Sequence, residues 1–484
     1  MKTVSWRHTW MLSTTALIAA CGHITTKPPV VALPAMELVT VAGMPLNAEM
    51  EPMQGHGFTE QEFYVRGEAS RYRIDDVTRD ARKVDSGHPY VTRVLVRRPV
   101  SPGKFNGTVV VEWLNVSAGQ DVDFLYAGVR ELLLRDGYAW IGVSAQRVGV
   151  EQLTRWNPAR YGKLTVAASG VDPADGKELD PGRPGSPMAG GDVLSWDIYS
   201  QVAATIRRKF SPLLGGLKVK HVIAAGQSQS SFRLSNYFNS IQPLHHLYEG
   251  FLLYDRGAAF PHRGDVDAKL ISLGTEFMNV LLRGSPPPDA PNQRWWELAG
   301  ASHNSLAEIQ GYVDPVVKRD AGLKDTSGKA QSISDTVISG NCAVTPLWSR
   351  VPNGDVLKAA LSALNTWVAG GTPPPGFPRL ALGSGGEILR DADGRAVGGI
   401  RTAALDAPRS KNAGVSEGAG MCVGAGYHVD FTEQQLCQRY GSHEAYVTRV
   451  AEIAAANVKA GSLLPEEERK ILADARALVF KCGG

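Results

Sequence analysis

The stretch Val222-Ile223-Ala224-Ala225-Gly226-Gln227-Ser228-Gln229-Ser230 decides the fold. Its apolar start reads as a strand buried on both faces, and the residues after it, up to about Phe238, read as a helix. Between them stands a serine with a small residue two places to either side, Gly226 and Ser230. A turn that sharp needs small flanks, because a larger side chain at either place would collide with neighbouring backbone. Ser228 is thereby exposed at the helix N-terminus, where a hydroxyl can act as nucleophile. The usual pattern is Gly-x-Ser-x-Gly, from which Ser230 departs. Gly414-Val415-Ser416-Glu417-Gly418 fits that pattern letter for letter, yet it follows the polar stretch Pro408 to Asn412 and leads into Gly420, Gly424 and Gly426. It has neither strand nor helix around it, so context selects Ser228 over Ser416.

A serine hydroxyl needs a base to take its proton, and in this kind of sheet the partners follow in the order serine, acid, histidine. Glu276 lies just past the apolar run Leu270 to Leu273, and His303 lies just past Trp295 to Leu298. Both sit in loops at strand C-terminal ends, where open α/β sheets place their sites. The expected triad is Ser228, Glu276 and His303. Asp255 is the competing acid, since it too follows an apolar run, Phe251 to Tyr254; with Arg256 next to it, its alternative reading is a local ion pair or a turn-capping carboxylate. The oxyanion needs two preorganised backbone N–H donors: Gln229 is one, and Asn115 or Val116, after the strand Thr108 to Leu114, the other. His245-His246 has no acidic partner at metal-ligand spacing and no His-Glu-x-x-His occurs, so the pair reads as structural. No metal and no cofactor are expected.

Working outward, Gly107 to Leu114, the helical spacing of Leu125, Val129, Leu132 and Leu133, and Tyr138 to Val143 make a β-α-β unit. Phe63 to Gly67 and Tyr90 to Arg97 precede it and suit antiparallel edge strands. Leu194, Ile198, Val202, Ile206 and Phe210 form one helical stripe. The alternation predicts an α/β fold with a mostly parallel sheet and helices on both faces. From Gln146 to Asp192 the chain is rich in Gly and Pro with little periodicity, a functional insertion and candidate lid. Past Gly370-Gly371 and three prolines, the pattern changes to a hairpin around Asp391 to Gly394 and two closing helices. The expected organisation is a core over 36–370 with the insertion at about 146–192, and a C-terminal extension over 371–484 packed on it.

The 484 residues are 43% apolar and 20% charged with 52 Gly and 29 Pro, a globular composition that excludes collagen and disorder. The formal charge of +3 comes without a basic run interleaved with aromatics, so nucleic acid is not an expected partner. Lys2 and Arg7 precede the uncharged stretch Thr9 to Ala20, which is shorter than the ~20 residues a membrane span needs and reads as an export signal over 1–20. It ends in Leu17-Ile18-Ala19-Ala20-Cys21-Gly22, which resembles the bacterial lipobox, so Cys21 is the expected lipidation site and 21–35 a tether. The expected location is the bacterial cell envelope, anchored by lipid and facing the periplasm. Cys342, Cys422, Cys437 and Cys482 remain, an even number with no Cys-x-x-Cys, and two disulfides are expected. Closeness in sequence favours Cys422 with Cys437, leaving Cys342 with Cys482.

Tyr90 to Pro99, Phe105 to Asn115, Arg160-Tyr161-Gly162, Asp197 to Gln201 and Gly226 to Ser230 resemble a bacterial and fungal branch of the α/β-hydrolase superfamily. In that branch Ser at the fifth elbow position is ordinary. The resemblance implies a hydrolase with the Ser228, Glu276, His303 triad. Together these residues point to a serine-dependent carboxylic-ester hydrolase acting through an acyl-enzyme on a small-molecule or polymeric ester. The same groups serve a peptidase, amidase or acyltransferase, and a non-catalytic surface-binding lipoprotein is the reading from another class.

Overall fold

The computed structural model describes residue 1 and residues 31–181, 190–256, 261–338 and 340–482. Cys21 and the export signal lie outside the described residues. The main sheet contains β1 (Ala35–Leu38), β2 (Phe58–Arg73), β3 (Arg82–Pro99), β4 (Thr108–Trp113), β5 (Ala139–Val143), β6 (His221–Gln227), β7 (Gly250–Tyr254), β8 (Lys269–Thr275) and β9 (Gln293–Leu298). Its nine strands run in the order β1-β2-β3-β5-β4-β6-β7-β8-β9. β5-β4-β6-β7-β8-β9 are mutually parallel, and β1, β2 and β3 pair antiparallel at one end.

β4, β5 and β7 are buried at every position because helices cover both faces of the sheet. Side chains alternate across it: Val109, Val111 and Trp113 join a core with Ile198, Tyr199 and Val202 of the helix Ser195–Ile206. Val110 points the other way, with Ile223 and Leu252, toward the helices Phe124–Asp136 and Asn353–Val368. Each such aliphatic residue contributes roughly 1.5–3 kcal/mol of burial, so two layers of them fix the strand order that brings the serine, acid and histidine loops to one edge.

The α/β architecture agrees with the alternation in the sequence, with local differences. β3 is an interior strand between β2 and β5, and the true edge is β1, which the sequence reading passed over. The helical stripe ends at Ile206, leaving Phe210 77% exposed beyond it. The insertion is not all loop: Arg147–Trp156 is a helix whose apolar face is narrow, Val150 and Leu153, and so leaves a weak periodic signal.

The C-terminal extension divides its burial. Leu380, Ile388, Ala396, Ile400 and Ala425 join the core on one sheet face, while Leu436, Tyr446, Val450, Ala475 and Phe480 form a small core of their own. This division corrects the expected disulfide pairing. The bonds are Cys342–Cys422 and Cys437–Cys482. Cys422 is buried on the side of the main core, whereas Cys437 sits in the helix Glu433–Tyr440 of the outer cluster and meets the chain end there. Nearness in sequence lost to membership of different layers.

Candidate active site

Ser228 stands between β6 and the helix Gln229–Asn236 with φ 55° and ψ −118°, a left-handed conformation that is strained for a residue with a Cβ. The turn is held by its N–H donating to the Tyr254 carbonyl at 2.8 Å and by its own carbonyl accepting from Phe232 N–H at 3.1 Å. Ser228 is partly exposed between the buried Gln227 and Gln229. The unusual Ser230 is explained by its neighbour: a Cβ on Gly226 would lie 3.0 Å from the Ser230 Cβ, so the pair tolerates one side chain because the other is absent.

His303 follows β9 and is 5% exposed. Its Nδ1 is hydrogen-bonded to Asp255 Oδ2, at the end of β7. The other oxygen of that carboxylate accepts from the Thr275 N–H and the Thr275 hydroxyl, each at 2.8 Å, so Asp255, fully buried, is held from two sides. Its own backbone has φ 50°, turning the chain at the strand end.

Glu276, the acid expected from the sequence, is not the residue on the imidazole. It opens the helix Glu276–Leu282, and its Oε1 accepts from the Gly300 N–H at 2.6 Å while Oε2 receives Arg390 at 2.8 Å. Its N–H donates to the Ala301 carbonyl at 3.2 Å, so it braces the backbone of the histidine loop. Nor does Arg256 form the anticipated salt bridge with the acid: its guanidinium lies 5.5 Å from the Trp295 ring, where burial pushes it down to about 9.

Asn115 requires a second correction. Its backbone N–H, expected to face the oxyanion, donates to the Val122 carbonyl at 3.1 Å and closes the loop after β4. Its side chain does other work, with Nδ2 donating to the Gln227 carbonyl at 2.9 Å and to Gln227 Oε1 at 3.3 Å. Gln229 is the first residue of its helix, so its N–H has no acceptor inside that helix.

The loop beneath the histidine depends on the C-terminal extension. His303 N–H donates to the Gly424 carbonyl at 2.8 Å, and the Phe277 ring meets the imidazole edge-on at 4.8 Å. Gly414, in the false serine motif, lies so close that a Cβ there would sit 2.3 Å from the Ala301 carbonyl oxygen. The glycines around Ser416 thus serve close packing against the histidine loop. Gln227, Gly424 and Arg390 were missed in the sequence, where a glutamine, a glycine and an arginine in a loop carry no distinguishing signal.

The insertion is fastened to the helix that follows the serine. Arg233 reaches Asp180 at 2.9 Å and Asp192 at 3.2 Å, and Asp192 in turn accepts from Gln146 Nε2 and from Arg147 N–H. His245 is buried between Tyr72 and Ser200, and burial pushes it down to about 4; His246 pairs with Asp267 on the surface. Both are structural, and among the described residues no cluster suits a metal. A cleft of about 720 Å³ between the core and the C-terminal helices includes Arg130, Glu308 and Lys358 but none of Ser228, Asp255 or His303.

Residues 29–473 match the family described as alpha/beta hydrolase domain. The chain belongs to this family of hydrolases. No curated protein matches it. Among solved structures it is similar to an α/β serine hydrolase without a lid from Xanthomonas campestris, at 11% identity, covering 52% of this chain and 94% of that one with a TM-score of 0.27. It is also similar to a fungal esterase from Rhizomucor miehei, at 11% identity, covering 40% of this chain and 45% of that one with a TM-score of 0.22.

Proposed function

We propose that this hydrolase cleaves carboxylic esters through an acyl-enzyme on Ser228, with His303 as general base and Asp255 as the acid that orients it. The observation that carries the reading is the buried Asp255–His303 hydrogen bond, together with a serine held in a strained strand-to-helix turn at the same C-terminal edge of the parallel strands. With Nδ1 donating to Asp255, His303 keeps Nε2 bare to accept the Ser228 proton, and Asp255 stabilises the imidazolium without taking the proton itself. The Gln229 N–H, with Val116 replacing Asn115 as the second donor, would stabilise the oxyanion. His303 then protonates the leaving alkoxide, and water repeats the cycle on the acyl-enzyme. A fluorophosphonate probe should label the folded wild type at Ser228 and leave Ser228→Ala unlabelled. Absence of labelling in folded wild type would return the protein to a binding role. Graded p-nitrophenyl esters beside amides then separate esterase from amidase.

The two disulfides should differ in their effect on this chemistry. Cys342–Cys422 ends two residues before Gly424, whose carbonyl seats His303, whereas Cys437–Cys482 closes the outer cluster. Replacing either pair by Ser should cost about 2–4 kcal/mol of stability, read from denaturant midpoints. Only the first replacement should also slow labelling of Ser228; equal rates in both double variants would contradict the assignment.

A further inference from the structure

The ring of His303 has a second neighbour. Gln227 Nε2 lies 3.2 Å from His303 Nε2, on the edge of the imidazole that must face the serine. Asp255 accepts at Nδ1, so the proton of the neutral ring resides there and Nε2 offers a lone pair. The Gln227 carboxamide is turned to fill it. Asn115 donates to the Gln227 side-chain oxygen, which leaves the amide nitrogen for the imidazole, and Asn115 is itself oriented by accepting the Ser117 N–H at 2.8 Å. A row of hydrogen bonds therefore runs from Asn115 through Gln227 and His303 to Asp255. All four residues are at most 5% exposed, so water does not readily replace a lost link.

We propose that Gln227 is a positioning residue for His303: its amide N–H occupies the Nε2 lone pair in the resting enzyme and yields it to the Ser228 hydroxyl when an ester is bound. This rests on the ester-hydrolase reading above. The proton moves from Ser228 Oγ to His303 Nε2 as Oγ bonds to the acyl carbon, and later from Nε2 to the leaving alkoxide; no hydrogen of Gln227 is transferred. Once Nε2 carries a proton it faces the amide N–H donor to donor. The contact therefore opens with the imidazolium and reforms with the free base.

Among the described residues, Gln227 is the side chain hydrogen-bonded at Nε2 of the imidazole. From β7 comes Asp255, at the opposite nitrogen. From the helix Glu276–Leu282 come the Phe277 ring and the Glu276 carboxylate, which is taken up by Gly300 and by Arg390 of the extension. From the 414–426 loop comes the Gly424 carbonyl, on the His303 backbone.

The experiment compares the full chain with Gln227→Met and Gln227→Glu, both close in size to glutamine, by the rate of fluorophosphonate labelling from about pH 6 to 9. Gln227→Met removes the amide's contact with His303 and the bond its oxygen accepts from Asn115, and should slow the saturated labelling step about tenfold, with half-saturation by the probe unchanged. Gln227→Glu places an acceptor against Nε2 and draws a proton onto it. Its labelling should fall about thirtyfold near pH 7 and largely recover near pH 9, the midpoint of the profile having moved up by about two units. Equal slowing in both variants with the wild-type pH profile would mean that Gln227 only fills space, and unchanged rates would mean that it does nothing for the base. Either result overturns the proposal. Where a variant fails to fold, nitrogen NMR of labelled histidine in wild type reads the same contact: a bare, hydrogen-bonded Nε2 supports it, and a signal without a hydrogen bond overturns it. Failure of the wild type itself to react with the probe overturns the ester reading instead, so the two failures are distinct.

Discussion

Asp255→Asn should lower turnover of an activated ester by roughly 10⁴-fold while leaving the protein folded, because an amide in place of the carboxylate favours the wrong imidazole tautomer and offers no charge to the imidazolium. Glu276→Gln should cost less than about tenfold, since its carboxylate contacts backbone and Arg390 rather than the ring. The comparison needs both variants on one ester, after circular dichroism has shown that they resemble wild type. The reverse ranking would restore Glu276 as the triad acid. The pair is informative because both acids are buried within the same few loops, so general damage to the site would affect them alike, whereas the hydrogen bond to His303 Nδ1 distinguishes them.

The second large effect is on stability. Arg97, on β3, is 1% exposed, with Nη1 donating to Asp123 at 2.8 Å, Nε to Glu60 at 2.9 Å, and its guanidinium 4.0 Å from the Tyr126 ring. Arg97→Met keeps much of the volume but leaves the Asp123 carboxylate buried with the Tyr312 hydroxyl at 2.9 Å as its remaining side-chain donor. Breaking a buried pair on one side costs about 3–5 kcal/mol, because the surviving charge keeps its desolvation penalty. The urea midpoint should fall accordingly at nearly constant slope. Adding Asp123→Asn should return part of the loss, and a single-variant loss below about 1 kcal/mol would show that the cluster is not a stabilising unit.

What the sequence disclosed and what it hid follow physical lines. Strands such as Val109 to Val111 and Val222 to Ala225 were legible because burial on both faces demands unbroken apolar runs. Ser228 was legible because it directly follows such a run, and His303 because it lies in the loop after the shorter stretch Trp295 to Leu298. The choice between Asp255 and Glu276 was not, since both follow strands and only the direction of each carboxylate decides. The backbone at Asp255 adopts a positive φ, whereas Glu276 opens a helix and its carboxylate bonds the Gly300 N–H. The same holds for Asn115, whose type and place were noticed but whose backbone was already committed to Val122. Arg93 and Arg97 stood in plain view on an apolar strand, yet nothing local says that their partners are Glu62, Asp121 and Asp123. Disulfide pairing failed for a related reason, as it depends on which layer receives each segment.

The Gly424 carbonyl that seats His303 belongs to a stretch made long after the histidine itself. During synthesis Ser228, Asp255 and His303 all emerge before Gly424, so a chain ended short of it holds all three without the carbonyl that seats His303. Under the proposed reading, truncation before the 414–426 segment should abolish labelling of Ser228, whereas loss of Cys437–Cys482 alone should leave it.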